Sequence, residues 1–114
     1  MPRYFGIDTS NYTTSVALFD SETGDVFMEK KLLPTKEGSL GLRQSDAVFA
    51  HVKQLGELAH RLMDGQPGEI KAVGVSVFPR RAEGSYMPCF LAGQAAAYAA
   101  ACGAGVPLYA FSHQ

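Results

Sequence analysis

Asp8 closes the short apolar run Tyr4-Phe5-Gly6-Ile7 and opens a cluster of small polar side chains that includes Thr9, Ser10, Asn11 and Thr13. A carboxylate at the end of a strand, beside a turn of hydroxyls and backbone N–H groups, can hold a hydrated cation that bridges to phosphate oxygens. The same residues also suit an Asx-type turn in which Asp8 bonds only its neighbours. Both readings stand on the residues alone. A second polar group, Arg80, Arg81 and Glu83, follows a long apolar run. Guanidinium forks recognise phosphate or carboxylate bidentately, and ligands of open α/β sheets bind at the carboxyl ends of parallel strands. The alternative for this group is a solvated loop.

Histidine and cysteine offer less. His113 is one imidazole after the last apolar run, whereas zinc or iron needs three or four donors within about 2.3 Å. His51 and His60 lie nine positions apart on one predicted helix and out of phase, so they do not share a metal. Cys89 and Cys102 fall within what reads as a second helix, about 20 Å apart along its axis and beyond disulfide reach. They are expected as reduced core thiols. Neither a Walker loop, a dinucleotide-binding glycine fingerprint nor a Gly-x-Ser-x-Gly elbow occurs.

The elements that must position these residues are legible in order. Tyr4–Ile7 and Thr13–Phe19 read as strands around the polar turn, and Val26–Leu33, after the turn signal Asp20–Asp25, reads as a third. Short turns make the three antiparallel neighbours. A charged loop over residues 35–43 leads to Ser45 as a helix cap. Val48, Val52, Leu55, Ala59 and Leu62 then draw an apolar stripe at steps of four, three, four and three. Ile70–Val77 reads as a strand buried on both faces. Ser85 and Pro88 suit a helix start, Cys89–Cys102 an alanine-rich helix closed by Gly103, and Pro107–Phe111 a last strand. The alanines at 95–97 and 99–101 suit close packing on a sheet or a pairing surface.

Three hairpin-connected strands, then helix, strand, helix and strand, predict a mixed α/β sheet of ribonuclease-H-like order with helices on its faces. The same unit forms each half of actin-like ATPases. The whole chain, 114 residues with 46% hydrophobic and 18% charged residues, fits one domain. Ten Lys+Arg against eleven Asp+Glu exclude binding of nucleic acid through a bulk basic face. The start, Met1-Pro2-Arg3-Tyr4, is unlike a signal peptide. The apolar stretch 89–111 is broken by Gln94, Gly103, Gly105 and Pro107, which speaks against a membrane span. A cytoplasmic protein is expected.

The run Gly6-Ile7-Asp8-Thr9-Ser10-Asn11-Tyr12-Thr13-Thr14-Ser15-Val16-Ala17-Leu18 resembles the opening motif of the glycoprotease-like family. The likeness continues through Val73-Gly74-Val75-Ser76, Gly93, Gly105-Val106-Pro107-Leu108 and Ser112-His113. Characterised members of that family are tRNA threonylcarbamoyladenosine synthases, once described as O-sialoglycoprotein endopeptidases. The resemblance implies that residues 1–114 are the N-terminal, actin-like lobe of a two-lobed acyltransferase, inactive without its C-terminal lobe. It implies ATP or an adenylate as ligand, with Asp8, Thr9, Ser10, Asn11 and Thr13 at the phosphates. It further implies one divalent iron or zinc, to which His113 contributes as the first histidine of a His-x-x-x-His motif. Implied partners are the C-terminal lobe, a second copy or a paralogue, and tRNA if the full activity is present.

Three departures qualify it. Asp8 stands where the synthases carry Glu, a choice shared with the family's inactive, dimerising bacterial paralogue. Val48-Phe49-Ala50-His51 replaces a Ser-Arg-Asp-His string, leaving only the histidine. Pro79–Tyr86 replaces a Gly-Pro-Gly loop. The alternative these imply is a non-catalytic pairing or scaffold module.

Overall fold

The computed structural model describes residues 2–10, 13–33, 44–64, 69–78 and 88–112. Along the chain run β1 (Pro2–Thr9), β2 (Thr13–Asp20), β3 (Val26–Leu32), α1 (Gln44–Met63), β4 (Glu69–Phe78), α2 (Phe90–Ala104) and β5 (Leu108–Ser112). They form one five-stranded sheet in the order β3-β2-β1-β4-β5. β1, β2 and β3 are antiparallel neighbours, while β4 joins β1, and β5 joins β4, in parallel. Parallel neighbours need a crossover, and the two helices are those crossovers. This is the expected α/β, ribonuclease-H-like order, with β1 at the centre.

Alternation along β1 sorts the two faces. Arg3, Phe5, Ile7 and Thr9 are buried, whereas Tyr4 is exposed and Gly6 and Asp8 are half-buried. Of the buried set, Phe5 and Ile7 meet Val16 and Leu18 of β2, Val73 and Val75 of β4, Leu55, Leu58 and Leu62 of α1, and Ala97 and Ala101 of α2 in one core. Burying such side chains contributes on the order of 1.5–3 kcal/mol each. Both helices pack on this face. Helices on both faces were expected; instead the second face is bare among the described residues, with Tyr4, Phe19, Met28, Tyr109 and Phe111 exposed on it. β4 is accordingly covered by helices on one side only.

α1 is rotated from the apolar stripe drawn above. Val52 is 62% exposed and His51 is fully buried. The inward face is Ala47, His51, Gln54, Leu55, Leu58 and Leu62, because the two polar side chains find hydrogen-bond partners on β2 and the turn before it. The helix starts at Gln44, so Ser45 lies inside its first turn instead of capping it. α2 presents Phe90, Gly93, Ala97 and Ala101 to the sheet. Gly93 is required there, since an added Cβ would come 2.7 Å from Thr9 Oγ1. The cap of α2 is Gly105, not Gly103: its φ of 69° is the left-handed conformation that lets its N–H bond back to Ala101 and Cys102 carbonyls.

Candidate functional site

Asp8, the last residue of β1 on the bare face, sits between Ser15 of β2, its register partner, and Ser76 of β4. The buried Ser76 hydroxyl donates to Asp8 Oδ1. On the far side the Phe111 ring of β5 lies against Gly74, where a Cβ would meet it at 3.0 Å. Together these residues line a shallow depression of about 380 Å³ whose wall also includes Met28 and Ser112. It occupies the carboxyl ends of the parallel strands β1, β4 and β5, the place where open α/β sheets take ligands. Its polar groups are the Asp8 carboxylate and serine hydroxyls, set among apolar side chains and glycines that form most of the lining. The carboxylate and hydroxyls together can hold a hydrated cation and, through it, a phosphate's oxygens.

Beneath the turn, on the helix face, lies a second polar group with no access to solvent. Thr9 Oγ1 accepts the Gly93 N–H at 3.1 Å, tying the end of β1 to the first turns of α2. The Thr14 hydroxyl meets His51 Nδ1 at 2.7 Å and accepts from Gln54 Nε2 at 3.1 Å. His51 Nε2 meets the Ser10 carbonyl oxygen. A carbonyl only accepts, so Nε2 carries the proton, Nδ1 is the acceptor and the Thr14 hydroxyl donates to it. Burial lowers the His51 pKa below its ordinary value, opposed by the Ser10 carbonyl and then by the Asp8 carboxylate. The ring is therefore neutral near pH 7, as that tautomer requires.

Ser10 completes the turn. Its N–H donates to the Thr13 carbonyl at 3.2 Å, and its hydroxyl both donates to that carbonyl at 3.1 Å and accepts the Thr13 N–H at 3.3 Å. The Ser10 side chain thus takes the donor that its own carbonyl would take in an ordinary two-residue hairpin.

The structure brings Asp8, Ser10 and Thr13 to the turn end of the hairpin, where Asp8 of the three lines the depression, but turns the Thr9 side chain into the core. Asn11, Arg80, Arg81, Glu83 and His113 lie outside the described residues. Ser15 and Ser76 were not singled out from sequence. The signal for Ser76 is a hydroxyl interrupting the apolar run 72–78 of β4, and for Ser15 its position on the same strand face as Thr13 and Ala17. Cys89 is buried and Cys102 exposed, so only the first is the core thiol expected. Burial raises the Cys89 pKa and the Asp8 carboxylate adds to the effect, which keeps this thiol protonated.

His113, the one residue of this chain that the resemblance offers to iron or zinc, lies outside the described residues. No three His, Cys, Asp or Glu side chains converge among the described residues.

No family model matches the sequence, and no curated protein matches it. Solved structures do. YeaZ from Pseudomonas aeruginosa superposes with a TM-score of 0.71 at 17% identity, over 98% of this chain and 44% of that one. An uncharacterized protein described as similar to the peptidase YeaZ from Pseudomonas aeruginosa gives 0.70, also at 17% identity and with the same coverage. The likeness shows the actin-like, ribonuclease-H-like fold. This chain spans less than half the length of either protein. No helix among the described residues is long and apolar enough to cross a membrane.

Proposed function

We propose that this chain is the N-terminal lobe of a YeaZ-like, glycoprotease-family protein of tRNA modification, with the depression at Asp8 as the jaw that meets nucleotide phosphates. The observation that carries the reading is the row Ser15–Asp8–Ser76 across three adjacent strands, lining a depression at the carboxyl ends of β1 and β4. In this reading the Ser76 hydroxyl orients the Asp8 carboxylate, which holds a hydrated divalent cation bridging to phosphate. The nearby hydroxyls of Ser15 and Thr13 take phosphate oxygens or cation-bound waters. In the family the bound adenylate delivers a threonylcarbamoyl group to an adenine amine of tRNA. That transfer needs a second lobe over the depression, so the chain alone binds without turnover.

A second reading is favoured by a different surface. Phe49 and Val52 of α1, and Leu91 and Tyr98 of α2, are exposed on the outer faces of the two helices. Apolar side chains repeating along such faces suit pairing with another helical surface, as in a non-catalytic partner module.

Calorimetry with ATP and Mg²⁺, run beside light scattering, separates the two. The first reading expects saturable heat that Asp8→Asn abolishes. Dimerisation without ATP heat supports the second and overturns the first.

A further inference from the structure

A histidine with no exposed surface, both of whose ring nitrogens are engaged, is an expensive thing to build into a helix–sheet interface. An apolar residue would fill the same space without needing partners. His51 instead links three elements in a single direction: Gln54 donates to Thr14, Thr14 to the ring, and the ring to the Ser10 carbonyl. Only the last of these bonds reaches the turn between β1 and β2. Its effect there is specific, because the Ser10 carbonyl is the one backbone acceptor of the turn's closing pair that Thr13 leaves unused.

We propose that His51 is the positioning residue of the phosphate-facing turn: it holds the Ser10 carbonyl inward, away from the ligand, and leaves hydroxyls on the outward side. The inference rests on the reading of the Asp8 depression as a phosphate site, and it deepens that reading. A carbonyl oxygen directed at a phosphate repels it. Drawn under the turn by the His51 N–H, it is neutralised where no anion reaches it. The Ser10 hydroxyl is then free to close the hairpin in its place, taking the Thr13 N–H. The Thr13 and Ser15 side chains, alternate residues of β2, stay on the same face as Asp8. Gln54 and Thr14 set the ring's tautomer from behind, since a hydroxyl donating to Nδ1 requires the proton on Nε2. His51 touches no ligand in this arrangement and acts only through Ser10.

Two substitutions split its functions. In His51→Gln the side-chain amide nitrogen reaches about as far as Nε2 and keeps a donor for Ser10 while losing the Thr14 acceptor. In His51→Asn the amide oxygen stands near Nδ1 and keeps the Thr14 bond while losing Ser10. Both variants lose one buried hydrogen bond, so their urea midpoints fall alike. A positioning role expects Asn, and not Gln, to speed hydrogen exchange of the Ser10 and Thr13 amides and weaken Mg²⁺–ATP binding, each by roughly tenfold, as loss of one such bond allows. Exchange and affinity that fall equally in both variants overturn the proposal. Should neither variant fold, the ¹⁵N spectrum of the unsubstituted protein decides: a fixed Nε2–H tautomer supports it, and an Nδ1–H or averaging ring overturns it. If the unsubstituted protein binds no ATP, the phosphate reading fails by itself, and the exchange contrast still supports or overturns the hold on the turn.

Discussion

On the helix side of the β1–β2 hairpin, Thr9, Thr14, His51 and Gln54 are buried, and each has a protein partner within hydrogen-bond reach. On the bare side, two residues away in sequence or fewer, Asp8 and Ser15 are half-buried and line a depression. The two sides hold similar chemistry, hydroxyls with one titratable group each. They differ in whether water can reach it. Strand alternation places adjacent residues on opposite faces, so a single hairpin supplies both a support with no access to ligand and a surface with no support of its own. Mutations on the two sides should therefore separate stability from binding.

The sharpest contrast is on the covered side. Leu58→Ala removes a fully buried side chain beneath the hairpin and should cost about 2–5 kcal/mol in urea unfolding. Gly93→Ala should follow at about 1–3 kcal/mol, because the new methyl must displace Thr9. A loss within 0.5 kcal/mol at Gly93 would mean α2 does not press on β1 as described. Asp8→Asn, on the bare side, should change stability by less than about 1 kcal/mol and yet remove Mg²⁺–ATP binding. Finally, Val52→Ser should leave urea unfolding within about 0.5 kcal/mol, and reduce self-association if the outer helix face pairs.

Acid provides a milder probe of the same boundary. The folded-state pKa of His51 is lowered, so the unfolded chain binds the proton more readily. His51 contributes its full stabilisation above the unfolded value, about 6.5, and that contribution drains away as pH falls toward the folded value. A urea midpoint that drops below pH 6.5 in the unsubstituted protein, with a shallower drop in His51→Gln, is the expected pattern.

The order of strands and helices could be read from the chain because it is written in local signals: an apolar run in β1, partial alternation in β2, spacing of three and four in α1, an alanine-rich run in α2, and Pro or Gly between. The rotation of α1 could not. Val48, Val52, Leu55, Ala59 and Leu62 form a regular apolar stripe, but the helix turns His51 and Gln54 inward because Thr14 and the Ser10 carbonyl, about forty residues earlier, satisfy them. No local period encodes that compensation. Asp8 was legible from its position after a strand and before a polar turn. Its partner Ser76 is 68 residues away and becomes its neighbour only through the parallel pairing of β1 with β4. Likewise, Gly105 replaced Gly103 as the cap of α2 because one more half-turn of helix brings its N–H under two carbonyls, a choice between two glycines that spacing alone leaves open.

The central claim is that the bare face at Asp8 meets nucleotide phosphates while the polar group beneath it only supports the turn. An amide NMR titration with Mg²⁺–ATP tests both halves at once. Saturable shifts are expected at Asp8, Ser15, Ser76 and Ser112, with those of Leu58 and Ala97 in the core unmoved. Shifts confined to the outer faces of α1 and α2 around Val52 and Tyr98, or none at any concentration, would contradict it.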